Sequence, residues 1–126
     1  MIAHEAKSAV LFRHWVKKFK LPMTCGLEMK DTHGKSSLPF SEVKQAQIDY
    51  ARAFQSDEGV MIRMTGVEGL QDYMYVRREP SYIVIKYPSC FCIISPDSFE
   101  LERKRSKRRS LLCSRAKDIA TKVIEL

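Results

Sequence analysis

The sequence predicts an α/β or α+β domain, a mixed sheet flanked by helices, and three observations carry that prediction. Stripes of helical period stand near both ends of the chain and again after residue 40. Between the last two lie short runs rich in β-branched and aromatic residues: "GVMIRMT", "DYMYVRR", "SYIVIKYP" and "CFCIIS", punctuated by Pro80, Pro88 and Pro96. The 126 residues are 44% hydrophobic and 29% charged, the composition of a single globular domain. A chain of that length buries roughly two thirds of its extended-chain surface.

Each element follows from a local pattern. Over residues 3–19, Ala9, Phe12, Val16 and Phe19 recur at spacings of three and four, so they share one helix face, and the stripe extends back to Glu5. Pro22 ends that helix. Residues 24–32 alternate as a strand, with Cys25, Leu27 and Met29 on one side and Glu28, Lys30 and Thr32 on the other. "HGKSS" reads as a loop, and Pro39 keeps Leu38 extended. Ser41 is the expected N-cap of a helix running to about Gln55, with Val43, Gln47, Tyr50 and Phe54 inward. "GVEGLQ" is a turn-rich connection after the strand 59–65. The basic stretch 102–109 leads into a C-terminal helix over about 110–125, its inward residues Leu112, Ala116, Ile119, Ala120 and Val123.

Several function classes are disfavoured at once. No window approaches the roughly 18 apolar residues of a membrane helix, and the N-terminus lacks the apolar core of a signal peptide. The expected setting is cytoplasmic (the host's cytoplasm for a viral chain), with no membrane partner. Cys25, Cys90, Cys92 and Cys113 include no CxxC or CxxH pair, so reduced thiols are expected rather than zinc ligands. His4, His14 and His33 have neither ligand nor triad spacing, and no phosphate-cradling GxxxxGK[ST] occurs. The net charge of +7 favours a polyanion, nucleic acid first.

The stretch that carries chemistry is "CGLEMKDTHGKSSLPFSEVKQAQIDYARAF", residues 25–54. Period two makes Glu28 and Lys30 neighbours on one strand face. A carboxylate beside an ammonium is what metal-dependent phosphodiester hydrolysis needs: the carboxylate holds Mg²⁺, and the ammonium orients water and balances transition-state charge. The same spacing on a solvated strand is a surface ion pair worth under about 1 kcal/mol.

"GLEMKDT", the Ser- and Lys-containing loop, "LPFSEVK", "QIDYARAF" and "GVMIRM" together resemble the PD-(D/E)XK nuclease superfamily, most closely its Holliday junction resolvases of bacterial and phage type. The resemblance covers residues 24–66, and the later strands and "ERKRSKRRSLL" look like the C-terminal half of phage members. It implies a restriction-endonuclease-like fold, a Mg²⁺ cofactor that Mn²⁺ can replace, and a structure-selective DNA endonuclease acting on branched or duplex DNA in recombination or repair. Glu28 then resembles the metal-holding carboxylate, Lys30 the catalytic lysine, the Met29 carbonyl a backbone metal ligand, and Gln47 the helix glutamine that braces the site. Glu5 would match a first-helix glutamate in the metal shell, though an acidic residue near a helix N-terminus also suits the dipole.

The chain departs from the family pattern in one respect. The superfamily places an aspartate on a hairpin strand before the E-x-K strand, and "KLPMTCG" leaves no room for it. Asp72 is the expected substitute, in a permuted strand order where the strands after it fill the missing sheet positions. Asp31 points to the opposite face from Glu28.

The expected DNA contacts are Thr32, Lys35, Ser36 and Ser37 beside the site, and Arg103, Lys104, Arg105, Lys107, Arg108 and Arg109 in the basic segment. Six phosphate contacts from that segment give a log–log salt slope of about −5. The segment carries no aromatics, which suits backbone contacts rather than base stacking. Two symmetric cuts across a junction call for a twofold homodimer, with strands 73–94 and the first helix as interface material. The competing readings are another nuclease of the same fold, a basic DNA-binding protein without activity, and an RNA-binding or protein-interaction module.

Overall fold

The computed structural model describes residue 12, residues 25–65 and residues 71–126. The expected helix over 3–19, with Glu5, and the connection after residue 65 lie outside the described residues, except that Phe12 is helical and buried. The chain is mixed α/β. In order, the elements are β1 (Gly26–Asp31), β2 (Ser37–Pro39), a 3₁₀ turn (Phe40–Glu42), α1 (Gln45–Gln55), β3 (Val60–Thr65) and β4 (Gln71–Val76). Then come β5 (Ser81–Lys86), β6 (Cys90–Ile94), α2 (Pro96–Arg105), β7 (Ser110–Leu112), α3 (Cys113–Ile119) and β8 (Lys122–Glu125).

Four strands form the main sheet in the order β1-β5-β6-β8. β1 and β5 run parallel, with Glu28 opposite Ile83 and Lys30 opposite Ile85; the other two pairings are antiparallel. A parallel pair needs a long crossover, and α1 supplies it. The hairpin β3–β4 is inserted between α1 and β5 as a separate two-stranded sheet. Its base is fastened to the end of α1 where Glu79 N–H donates to the Phe54 carbonyl and Arg78 N–H to that of Ser56. Gly59 makes the entry to the hairpin possible: its φ is +72°, and a Cβ there would meet the Val76 carbonyl at 2.5 Å.

Both faces of the sheet are covered, as the uninterrupted apolar run of β6 requires. One face packs Ile83, Ile85, Cys92 and Ile94 against Leu38, Ile48, Phe99 and Leu111. The other packs Val84, Phe91, Ile93 and Ile124 with Phe12, whose ring meets Phe91 edge-on at 5.2 Å between centroids. Tyr87 closes one end of the first layer, its hydroxyl donating to the Leu111 carbonyl at 2.9 Å, and burial pushes that phenol up from its usual range. All four cysteines are free; Cys90 Sγ lies 3.8 Å from both Cys92 and Cys113 Sγ, and burial raises the latter two.

Three expectations are corrected here. The helix after Pro39 begins at Gln45, not at Ser41, because Phe40–Glu42 forms a 3₁₀ turn and Val43 and Lys44 are extended. Its inward residues are Ile48, Ala51 and Phe54, while Tyr50 is 49% exposed. The single helix expected over 110–125 is instead β7, the short α3 and the strand β8, where Val123 and Ile124 pair with β6. The run "PDSFELERKR" is itself a helix, capped by Ser95, whose Oγ accepts from Ser98 N–H at 3.1 Å, with Pro96 opening the first turn.

α2 carries two buried carboxylates inward, and the surrounding cations answer them. Glu100 is met by Arg52 at 2.9 Å, Arg103 at 3.3 Å and Lys104 at 3.4 Å. Glu102 is held by both nitrogens of the Arg115 fork, at 2.6 and 3.2 Å, and by Arg105 at 3.2 Å. The Arg115 hydrogen bonds, ahead of any other cause, keep the Glu102 carboxyl below its ordinary value of 4.5. A depressed carboxyl stabilises the folded state fully above its unfolded pKa and loses that contribution as pH falls through the folded value. The difference in melting temperature between wild type and Arg115→Ala is therefore expected to be largest above pH 4.5 and to narrow below it, as thermal unfolding followed by circular dichroism will measure. A difference that widens on acidification contradicts this.

Candidate active site

Glu28 and Lys30 share the face of β1 that looks towards α1, continuing the layer of Ile83 and Ile85. Lys30 is only 7% exposed, and its Nζ lies 3.5 Å from Glu28 Oε1. This is not the solvated ion pair that a strand surface would give. Burying a lysine side chain is costly unless its ammonium is paired, and Glu28 is the partner.

Gln47 brings α1 into the same contact. Its Nε2 donates to Glu28 Oε1 at 2.9 Å, and its Oε1 accepts from Lys44 N–H at 2.9 Å. The second bond satisfies one of the free amides at the start of α1, so the side chain that braces Glu28 also caps the helix. Both ends of the amide are thereby fixed, and Glu28 Oε1 receives an amide and an ammonium together. Oε2 accepts no hydrogen bond from the described residues.

The backbone of β1 adds one more group. Gly26 N–H donates to the Pro80 carbonyl and Thr32 N–H to the Lys86 carbonyl, so even-numbered residues pair with β5. A strand residue directs its N–H and C=O to the same side, alternating along the chain. The Met29 carbonyl therefore faces away from β5, towards the edge of β1 that is unpaired among the described residues.

The remaining expected site residues divide. Thr32 is buried rather than presented on the surface, and its hydroxyl donates to the Lys86 carbonyl at 3.1 Å. Lys35 and Ser37 line a cleft of about 300 Å³ with His33, Pro39, Glu42 and Ser110 beyond the end of β1. Ser36 lies exposed on the same loop, and its carbonyl accepts from Cys113 N–H at 2.8 Å. In the basic segment, Arg103, Lys104 and Arg105 are committed to Glu100 and Glu102, so they are not the free phosphate ligands expected of them. Lys107, Arg108 and Arg109 are exposed in the loop before β7, with side chains that pair with none of the described residues. The salt slope contributed by this segment is accordingly expected near −3 rather than −5. Binding of labelled duplex DNA by wild type and by the triple alanine variant at residues 107, 108 and 109, titrated with salt, measures that difference.

Asp72 is corrected in its position. It lies on β4 opposite Met64, in the inserted hairpin rather than in the sheet of Glu28, and the strand that fills the place beside β1 is β5. From Val76, at the fastened base, Asp72 is four residues further out, about 14 Å along the strand. Among the described residues no group of three or more His, Cys, Asp and Glu side chains is arranged around a metal position. No helix of the described residues is long and apolar enough to cross a membrane.

Placed beside known proteins, the chain matches no family model, no curated protein and no solved structure.

Proposed function

We propose that the protein is a Mg²⁺-dependent, structure-selective DNA endonuclease with a restriction-endonuclease-like PD-(D/E)XK core, and within that class a Holliday junction resolvase. The observation that carries the reading is the bridge from Gln47 Nε2 to Glu28 Oε1, with Lys30 Nζ on the same oxygen. Three residues singled out for one reaction, 19 positions apart at the extremes, meet at one carboxylate.

The residues fit a Mg²⁺ ion that keeps most of its waters. Such an ion takes one or two carboxylates and leaves the rest of its shell to water and substrate phosphate. Glu28 Oε2 and the Met29 carbonyl are the groups that would hold it. When bound, Mg²⁺ stabilises charge on the phosphoryl oxygens and lowers the pKa of water. The chain's own residues do the remainder: Gln47 locks the Glu28 rotamer, and Lys30 Nζ orients the attacking water and offsets charge as the phosphorus becomes five-coordinate. By the same resemblance, cleavage leaves a 5′-phosphate. The cleft holding Lys35 and the loop 107–109 would follow the phosphate backbone.

A four-way junction has twofold symmetry, so a homodimer would cut it at two equivalent positions. The exposed Met61, Tyr73 and Tyr75 of the hairpin have the composition of an interface core and are the surface a second copy would cover.

A panel of end-labelled duplex, flap and four-way junction DNA, incubated with Mg²⁺ or EDTA, tests this. Paired nicks on the junction in Mg²⁺ alone are expected. Cutting confined to duplex or flap moves the protein to another nuclease of the same core. One observation favours a second reading, a junction-binding protein without hydrolysis: Asp72 lies outside the Glu28 sheet. Tight junction binding with no Mg²⁺-dependent nicks selects it.

A further inference from the structure

Beside Glu28, at the opposite end of β1 from the Lys35 cleft, is a shallow pocket of about 50 Å³ that opens to solvent. Its walls include Gly26, Leu27 and Glu28 of β1 and Gln47, Tyr50 and Phe54 of α1. Tyr50 stands three residues after Gln47, one turn along the same side of α1. It is 49% exposed, and Leu27 is 41% exposed, whereas Phe54 is buried behind them. The pocket is thus apolar over most of its wall, with carboxylate and amide groups at Glu28 and Gln47.

We propose that an unpaired nucleobase of the DNA strand that is cut stacks on the Tyr50 ring over the mouth of this pocket, which rests on the proposed nuclease function and adds the source of its structural selectivity. Three features agree on that occupant. An exposed aromatic offers a face on which any base can stack without sequence preference. The Glu28 carboxylate in the wall places the base next to the phosphate to be cleaved, and a chain of net charge +7 draws in a polyanion rather than a neutral apolar ligand. A base inside a continuous duplex is stacked on both sides and cannot enter, whereas a branch point frees one. Discrimination between branched and linear DNA then needs no base-specific hydrogen bonds.

The test uses a four-way junction with 2-aminopurine at the branch point and Ca²⁺ in place of Mg²⁺. Wild type, Tyr50→Phe and Tyr50→Ala are compared, with thermal unfolding to verify that each variant is folded. Wild type and Tyr50→Phe are expected to quench the reporter. Tyr50→Ala is expected to leave it unquenched and to bind the junction about tenfold more weakly, while its affinity for linear duplex is unchanged. Quenching and affinity in Tyr50→Ala equal to wild type, or a wild type that leaves the reporter unquenched, overturns the pocket. Nicking in Mg²⁺ is scored on the same DNA. If nicking persists in either of those cases, only the pocket falls. If Tyr50-dependent quenching occurs without nicking, the pocket stands and the hydrolase falls.

Discussion

Lys30→Met is expected to lower Mg²⁺-dependent nicking at least a hundredfold while leaving the fold as stable as wild type or more so. The two halves have one cause. Lys30 is buried on the apolar layer of β1, with Ile85 beside it in register, and its ammonium meets Glu28. A methionine keeps the length and the apolar stem and removes a buried charge, while the Glu28 carboxylate left behind is one-third exposed and keeps its Gln47 hydrogen bond. Removing one group that stabilises transition-state charge costs about 10²–10³ in rate. Stability gained as activity is lost is the mark of a residue retained for chemistry. Kinetics on a four-way junction and denaturant unfolding check both halves, and a variant that loses stability with no change in nicking makes Lys30 structural.

Phe91→Ala has the largest expected effect on folding. Its ring is fully buried in β6 and meets Phe12 edge-on. Phenylalanine-to-alanine changes in cores cost about 3–5 kcal/mol, here a fall in melting temperature of roughly 15 °C. Phe12→Ala opens the same layer from its other side, and the aromatic pair adds about 0.5–1.5 kcal/mol beyond area burial. The double variant should therefore be less destabilised than the sum of the singles. Strict additivity in urea unfolding means that Phe12 does not dock on Phe91.

Much of the sheet was legible because its strands announce themselves locally. Alternation marked β1, and apolar runs between prolines marked β3 to β6. Who pairs with whom was not legible. Asp72 sits on a strand whose pattern suits several partners, and only the whole fold sends β4 to β3 and β5 to β1. The Glu28–Gln47 contact was legible because both residues fall where their elements turn inward, although Tyr50, on the same expected stripe, turns out to solvent. α2 was hidden by its charge: Glu100 and Glu102 point inward and Leu101 outward, the reverse of an amphipathic stripe. The signal that could have found it was "SPDS", a serine cap with proline in the first turn. At the C-terminus, the spacing of Ala116, Ile119, Ala120 and Val123 continued a helical period into β8, where tertiary pairing with β6 overrides it. The basic segment was read as six free charges because sequence does not reveal that two buried glutamates engage three of them.

Glu28 is the residue proposed to hold the catalytic metal. Crystals grown with the junction and soaked in Mn²⁺, measured at the manganese absorption edge, test it most directly. An anomalous peak is expected within coordination distance of the Glu28 carboxylate, on the Met29 side of β1, and none there in Glu28→Gln. Manganese bound elsewhere, or unchanged by that substitution, contradicts it.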